Sequence, residues 1–314
     1  MKKYNTILSI LFFIFIVYMI VNIKESKDTT FNTLITFSKN ILPSLLPFLI
    51  LNQLLIKLGV IDFLAYLFQF ISYPVFKISG KGASIILMGI LNGFPSSAIY
   101  TSLMFQKKEI NKEEAQRLIN FIFFPSLSFL FSILKTNINN SRLFVLLALS
   151  IYLTGFTFLY ISSFKIKEDV SILSFHETLE NIKTKQRSFS LAKDIKHIIS
   201  YSFNTLLNIL GIITLFSIPC LILDKILPST ISIFFQGLIE FSIPSIKTSN
   251  IIGNKKRIVL TLVPILSFSS ISSIMQANLF IQDVTLNSKS FILSRILVSI
   301  CSLFILFLFL FFLQ

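Results

Sequence analysis

The sequence predicts an all-α polytopic membrane protein with about nine transmembrane segments. Hydrophobic residues make up 54% of the chain and charged residues only 13%, and the mean hydropathy is +0.82. A soluble domain carries about 25% charged residues, so this chain has too few of them to cover a surface in water. Several apolar runs also approach or exceed the roughly 20 residues that a helix needs to cross a bilayer.

The charged and reactive residues exclude several classes of protein. The formal charge is +14, but the lysines and arginines lie mainly between the apolar runs. This placement indicates topology and contact with membrane lipid rather than with nucleic acid. Cys220 and Cys301 lie in separate apolar runs, and His176 and His197 lie in a polar segment. Because no metal-binding spacing and no catalytic constellation is present, we expect no cofactor, no metal and no enzymatic activity.

The first predicted element is an uncleaved transmembrane anchor within residues 1–30. Lys2 and Lys3 precede an apolar run over residues 7–23, a pattern that would also suit a secretory signal. The run is long for a signal, however, and no small-x-small cleavage site follows it. With this end in the cytoplasm, most of the basic residues fall on the inner side of the membrane, as the positive-inside rule requires.

Residues 31–164 form the first predicted membrane repeat. Pro43 and Pro47 interrupt the apolar segment over residues 41–53, which should therefore cross bent or fold back as a hairpin. Asn111, followed by two glutamates, is typical of a helix start and predicts a short helix at the membrane surface. Further spans are predicted at residues 60–76, 83–104, 118–134 and 143–164.

A polar block separates this repeat from a second one. Residues 165–196 carry mixed charges and no long apolar run, so they predict a solvated, partly flexible cytoplasmic linker. The second membrane repeat occupies residues 197–314. Its spans are predicted at residues 198–223, 228–246, 258–280 and 291–313.

The stretch Gly89-Ile-Leu-Asn92-Gly-Phe-Pro95-Ser-Ser-Ala98 interrupts one of these spans. Two glycines and a proline weaken a helix, and in a bilayer such a break survives only where the freed backbone groups face protein or water. The stretch therefore predicts a discontinuous helix that presents backbone dipoles and Asn92 to a solute, as transporters do. A kinked packing helix is the alternative.

The second half carries matching interruptions. Gly89-Ile-Leu-Asn92 parallels Gly237-Leu-Ile-Glu240, and a Pro-Ser pair follows in each case. Two Pro-x-Leu-Ser-Phe motifs, at residues 125–129 and 264–268, come later in the same order. Together with the predicted topology, these matches indicate two inverted halves, an arrangement that builds a site at the membrane midplane. Chance similarity remains the alternative.

Glu240 is the main candidate for a functional side chain. A carboxylate well inside an apolar run is expensive, so it should face a cavity or a partner; the alternative is an interfacial glutamate on a misplaced span. Gln236 and Gln276 are weaker candidates, because amides also join helices. The residues predicted to bind substrate are Asn92, Gly93, Pro95, Ser96, Ser97, Glu240, Ser267 and Gln276.

Three motifs resemble the YlbJ/SpoVV family of sporulation integral membrane proteins. They are Pro43-Ser-Leu-Leu-Pro47-Phe, Gly89-Ile-Leu-Asn-Gly-Phe-Pro95 and Glu113-Glu-Ala-Gln-Arg117-Leu. The family is related to nucleoside-recognition Gate proteins and, more distantly, to concentrative nucleoside carriers. The resemblance covers nearly the whole chain between residues 37 and 295, and it implies a multi-pass protein of the outer forespore membrane that passes dipicolinic acid and serves cortex formation.

Departures from the family pattern keep other functions open. Ser97 replaces a family glycine, Phe123 stands near an expected asparagine, and Ile243-Pro244 replaces Asn-Gly after Glu240. The segment at residues 269–276 also lacks two glycines and a histidine of the family. We therefore expect a carrier of a small organic anion, with a possible coupling cation or proton. The alternatives are a non-transporting assembly factor that recruits proteins through the linker, and a nucleoside-type carrier.

Overall fold

A computed structural model describes residues 2–131, 138–166, 172–283 and 286–312, and it confirms the all-α class: these residues form helices and connecting segments without a strand. A π-helical turn at Phe37–Ile41 joins the second helix to the third. The helices are α1 (Lys2–Val21), α2 (Ile23–Thr36), α3 (Leu42–Lys57), α4 (Val60–Phe76), α5 (Gly80–Asn92), α6 (Ser96–Gln106), α7 (Lys112–Phe121), α8 (Leu127–Phe129), α9 (Ser141–Ser163), α10 (Phe175–Ser188), α11 (Leu191–Ile226), α12 (Ser229–Ile239), α13 (Ser242–Ile251), α14 (Lys255–Phe268), α15 (Ser270–Asp283) and α16 (Ser288–Phe312).

The described part of the chain holds fewer candidate spans than the predicted nine. Four helical stretches are long and apolar enough to cross a membrane, and two bent helix pairs raise the number to six. The four stretches are Ser141–Ser163, Leu191–Ile226, Lys255–Asn278 and Ser288–Phe312, and the pairs are Ile23–Ile41 with Leu45–Lys57 and Val60–Phe76 with Gly80–Asn92. The difference arises because several predicted spans are broken into helices of 10 to 13 residues. Such helices reach only about 15–20 Å, less than the hydrocarbon core.

The predicted discontinuous helix is confirmed. Helix α5 ends at Asn92, α6 begins at Ser96, and the peptide between Phe94 and Pro95 is cis. The span predicted at residues 228–246 is broken in the same way, because α12 ends at Ile239 and α13 begins at Ser242.

Two further breaks were not predicted. Residues 122–126 are non-helical between α7 and α8, in the middle of the span predicted at residues 118–134, of which residues 132–134 lie outside the described residues. Ser269, with φ of 75°, separates α14 from α15 inside the span predicted at residues 258–280. No glycine or proline stands at Ser269, so the hydropathy pattern predicts a single continuous helix there.

Side chains of helix α7 form hydrogen bonds with the ends of neighbouring helices, and α7 is called the hub below. Its predicted cap is confirmed, because the Asn111 side chain accepts a hydrogen bond of 2.8 Å from the Glu114 amide. The Glu114 carboxylate in turn accepts hydrogen bonds of 2.7 Å from the amide and the hydroxyl of Ser79, the N-cap of α5. Glu114 is buried, and it thus supplies negative charge at a helix amino terminus, where the macrodipole favours it.

Arg295 of α16 closes the other end of α7. Its guanidinium donates to the backbone oxygen of Asn120 and, at 2.9 Å, to that of Phe123, and it lies over the rings of Phe123 and Phe291. Arg295 is fully buried and Arg117 of α7 is 6% exposed. Nothing in the sequence indicates that either arginine binds carbonyl groups inside the protein.

The polar linker is more ordered than its composition predicts. Within it, α10 packs on α4: Gln69 of α4 donates to the Leu173 oxygen and accepts from the Leu173 amide, each at 2.8 Å. Lys185 pairs with Asp62, and the ring of Phe175 lies against that of Tyr66. Within residues 172–188 the linker thus contains a helix that a buried hydrogen-bonded pair docks on α4 despite its low apolar content, and its partial flexibility stays a prediction.

Gln69→Ala is expected to release this segment. Losing two hydrogen bonds of about 0.5–1.5 kcal/mol each should make local opening roughly 5- to 100-fold more frequent. Trypsin cleavage after Lys183, Lys185 or Arg187 should accelerate accordingly, as followed by gel electrophoresis of the purified protein. Gln106→Ala, at the exposed end of α6, is the matched control. Equal cleavage of the two variants would contradict the docking.

Candidate functional site

All four helix breaks, or the helix turns that follow them, line one cavity of about 800 Å³, a volume that includes the solvent at its mouth. Helices α3 and α11 complete its wall. The residues around it are Ile41, Leu45, Phe48, Leu49, Asn52, Leu91, Asn92, Phe94, Pro95, Ser96, Pro125, Ser126, Ser128, Phe129, Thr205, Ile209, Ile212, Ile213, Glu240, Phe241, Ser242, Ser272, Ser273 and Gln276.

Five of the predicted substrate-binding residues lie in this wall. They come from both halves of the chain: Asn92, Pro95 and Ser96 from the first, and Glu240 and Gln276 from the second. The two interruptions that the sequence matched to each other therefore meet at one place in the fold, although the inverted relation between the halves is not confirmed.

Three other predicted residues lie outside the cavity wall. Gly93 packs against the backbone of the second break, so it shapes the cavity without lining it. The Ser97 side chain is buried within α6. Ser267 donates to the Val263 oxygen at 2.7 Å and accepts from the Ser302 hydroxyl at 2.7 Å, so it joins α14 to α16 instead of facing the cavity.

Amide groups form one polar edge of the cavity. The Asn52 amide nitrogen donates to the Asn92 side-chain oxygen, which leaves the Asn92 amide nitrogen as its remaining donor group. The neighbouring Gln53 donates to the Tyr100 hydroxyl at 3.0 Å, an additional link between α3 and α6. The sequence showed Asn52 and Gln53 as two amides one turn after a proline-rich segment, but only the fold pairs Asn52 with Asn92.

Glu240 caps the helix that follows the second-half break. Its two carboxylate oxygens accept hydrogen bonds from the Ser242 amide at 2.9 Å and the Ile243 amide at 3.2 Å, at the start of α13. The side chain is 3% exposed. These donors stabilise a buried carboxylate through the free N–H groups and the dipole of the helix.

Two Ser-x-Ser turns supply hydroxyl groups from both halves. Ser126 and Ser128 are 3.0 Å apart between hydroxyl oxygens at the start of α8, and Ser270 and Ser272 are 2.8 Å apart at the start of α15. The sequence interpretation instead matched Pro125–Phe129 with Pro264–Phe268. That match is wrong structurally, because residues 264–268 lie within α14 and precede its break.

Aromatic rings form the apolar part of the same cavity wall. The ring of Phe241 lies edge-on to Phe94 and Phe129, with centroids 4.9 and 5.0 Å apart, and Phe94 stacks on Phe123 at 5.1 Å. Edge and stacked contacts of this kind fix ring orientations. The cavity therefore combines flat apolar surfaces with hydroxyl and amide groups, the composition usual for a small-molecule site.

The electrostatics of the cavity come from helix ends rather than from basic side chains. The first turns of α6, α13 and α15 reach it through Ser96, Ser242, Ser272 and Ser273, so three positive dipole ends lie at its wall. Of the described residues that line it, Glu240 alone carries a formal charge. Across the described ranges, no group of three or more His, Cys, Asp or Glu side chains is placed to hold a metal ion.

Comparison with known proteins gives one informative relative. The chain is 28% identical over 260 residues to the sporulation integral membrane protein YlbJ of Bacillus subtilis (strain 168). The match covers 78% of this chain and 64% of that protein, so the chain spans less than two thirds of the relative's length. This similarity confirms the resemblance indicated by the sequence motifs and supports assignment to the YlbJ family. No family model and no solved structure matches the chain.

Proposed function

We propose that this chain, which is similar to the YlbJ sporulation membrane protein, is a secondary carrier for a small organic anion. Dipicolinate, the substrate that the family resemblance implies, is the proposed cargo, and the outer forespore membrane is the proposed location. One observation supports this function above the others: four helix breaks, two from each half, converge on a single cavity of mixed polarity. Discontinuous helices around a shared site are how secondary transporters bind solutes within the membrane.

The chemistry of the cavity suits a planar aromatic dicarboxylate. The amino termini of α6 and α15 present N–H groups to anions, and the serine hydroxyls at these ends donate further hydrogen bonds, whereas the first N–H groups of α13 already bind Glu240. The rings of Phe94, Phe129 and Phe241 offer flat surfaces against which an aromatic ring packs.

Glu240 limits which state of the carrier binds the anion. Two unit charges about 5 Å apart repel by roughly 3 kcal/mol at an effective dielectric constant of 20. A charged Glu240 would therefore oppose an anion in the same cavity. A bound proton or cation at Glu240 removes this repulsion, so the geometry favours joint binding of anion and positive charge.

A nucleoside-type solute is the second candidate. The amide groups of Asn52, Asn92 and Gln276 border the cavity together with the phenylalanine rings. Amides pair with the edges of nucleobases, and rings stack on their faces. The non-transporting assembly factor, in contrast, has no need for a cavity of this kind.

Uptake by proteoliposomes tests the proposal. Purified protein should take up labelled dipicolinate. Unlabelled nucleoside or acetate, added as competitors, should not reduce that uptake. Displacement by nucleosides alone would favour the second candidate, and the absence of any uptake would favour the assembly factor.

Asn92→Ala should weaken this uptake moderately. The substitution removes one polar contact of about 0.5–1.5 kcal/mol, so half-saturation should rise by up to about tenfold. Asn250→Ala, at an exposed position of α13, is the control, because it also removes an asparagine but lies outside the cavity wall. An unchanged affinity in Asn92→Ala would place the solute elsewhere.

A further inference from the structure

Glu240 borders a second cavity as well as the first. This second cavity lies between α2, α11, α12 and α13 and measures about 570 Å³, a volume that includes the solvent at its mouth. Glu240 and Ile213 line both spaces, and the other lining residues of the two cavities are different. The buried Glu240 carboxyl group and the Ile213 side chain thus lie between the cavity of the proposed substrate and a second opening in the protein.

The second cavity is lined by polar side chains for much of its wall. Helix α2 contributes Thr29, Asn32 and Thr33, and α11 contributes Ser217 and Asp224. Hydroxyl, amide and carboxylate groups of this kind bind water molecules, whereas the apolar part of the first cavity offers them few hydrogen-bond partners. The wall therefore presents groups that can bind water along the space that reaches Glu240.

Asp224 is positioned at this route by side chains of α12. Its Oδ1 atom accepts hydrogen bonds from the Ser232 hydroxyl at 2.8 Å and from the Gln236 side-chain nitrogen at 2.5 Å. Gln236 lies one turn before Glu240 on α12, and the Glu240 amide donates to the Gln236 backbone oxygen at 2.7 Å. Asp224 is exposed whereas Glu240 is buried, so the two carboxyl groups mark the outer and inner ends of the same space.

The remaining charged groups favour a proton over a metal ion as the occupant. Lys247 of α13 borders the second cavity, and Cys220 of α11 is its other titratable neighbour. Helices α2 and α12 present only uncharged side chains there, and α3 and α15 present only uncharged ones to the first cavity. Among the described residues, no three His, Cys, Asp or Glu side chains meet to hold a metal ion, whereas a proton moves through water and needs no coordination shell.

We propose that the second cavity is a proton route by which Glu240 is protonated through water from one side of the membrane, with Asp224 as the outer relay group. This inference rests on the carrier function proposed above. A hydrated proton passes from water to the Asp224 carboxylate and then to Glu240, and when the anion leaves, Glu240 releases the same proton through the first cavity to the water on the side that receives the anion. Neutral Glu240 accepts the anion in the first cavity, so that anion and proton move together.

Two transport assays in proteoliposomes test this route. In the first, an inward proton gradient drives labelled dipicolinate uptake while an internal pH dye reports proton entry. In the second, labelled dipicolinate exchanges with unlabelled dipicolinate at equal pH, which needs no net proton movement. Asp224→Asn should slow gradient-driven uptake about tenfold and leave exchange within about twofold. Asp28→Asn, on a residue of α2 outside both cavity walls, should change neither rate.

The outcomes separate this inference from the proposed function. If wild-type protein shows no dipicolinate exchange, the proposed function fails. If exchange occurs but uptake follows a sodium gradient, or moves no protons, the proton route alone is overturned. Equal gradient-driven uptake by Asp224→Asn and Asp28→Asn would also overturn it.

A substrate-independent measurement checks the route itself. In a Cys301→Ser background, Cys220 in the cavity wall should react with a small charged thiosulfonate added in water. Thr36→Phe, which fills the same cavity, should slow that reaction at least several-fold. Equal reaction rates of Cys220 with and without Thr36→Phe would show that this cavity is not the path by which water reaches Cys220 and would overturn the route.

Discussion

Gly93→Ala is expected to abolish uptake and to destabilise the protein by about 2–6 kcal/mol. Gly93 has φ of 70° and ψ of −164°, a backbone region that is essentially restricted to glycine and costs about 1–3 kcal/mol for other residues. A Cβ atom at this position would also lie 2.4 Å from the Ser126 nitrogen and 2.9 Å from its Cα atom. Because these are backbone atoms, they cannot rotate away, and overpacking adds about 1–3 kcal/mol.

The function depends on this contact because it holds two helix breaks together. Next to Gly93, the Phe94 amide donates to the Phe124 oxygen at 2.8 Å, so the first and second breaks approach backbone to backbone. Separating them would move Pro95 and Ser126 apart in the cavity wall. We therefore expect loss of dipicolinate uptake even in the fraction of Gly93→Ala protein that folds.

Gly211→Ala is the matched control. Gly211 lies in the middle of α11, and a Cβ atom there would meet no other atom within 4 Å. Alanine is the better helix former by up to about 1 kcal/mol, so this variant should be as stable as the wild type or slightly more stable. Thermal unfolding in detergent and uptake in proteoliposomes measure both variants. Similar behaviour of the two would contradict the close approach of the breaks.

The breaks also show what the sequence could and could not predict. Gly93 and Pro95 in an apolar run indicate a discontinuous helix, so this break could be predicted from the sequence. The burial of Glu240 could be predicted too, because a charged carboxylate is too costly to face lipid. The break at Ser269 could not, because serine is compatible with a membrane helix and its left-handed backbone depends on neighbouring packing. The lower number of spans follows from the same cause, since broken helices look continuous to hydropathy.

Pairing in space was the other unpredictable part. A basic residue at the end of an apolar run is normally a topology signal. Nothing in the local sequence of Arg295 or Arg117 shows that carbonyl groups from distant helices will meet it. The same holds for Asn52 and Asn92, whose side chains are joined across 40 positions of sequence. The motif around Glu114 and Arg117 carried part of the family resemblance, and its physical role is to fix helix ends.

The second large effect is expected for Arg117→Lys, which should lower the free energy of unfolding by about 2–5 kcal/mol. The guanidinium of Arg117 donates to the backbone oxygens of Phe76, Lys77 at 3.1 Å and Leu159 at 3.0 Å, and to the Ser162 hydroxyl at 2.9 Å. A planar fork reaches these groups at once, whereas a single ammonium group cannot. Each buried carbonyl that loses its donor costs about 1–3 kcal/mol.

The position of these carbonyls makes the substitution more damaging than its conservative chemistry implies. Phe76 and Lys77 end α4, so Arg117 supplies positive charge at the carboxyl end of that helix and ties it to α9. Arg257→Lys, at the exposed start of α14, makes the same chemical change without buried partners and should leave the unfolding temperature unaltered. A melting temperature of Arg117→Lys equal to that of Arg257→Lys would show that the hub does not need the guanidinium. A lower melting temperature of Arg117→Lys alone would show that the Arg117 guanidinium is what joins α7 to α4 and α9.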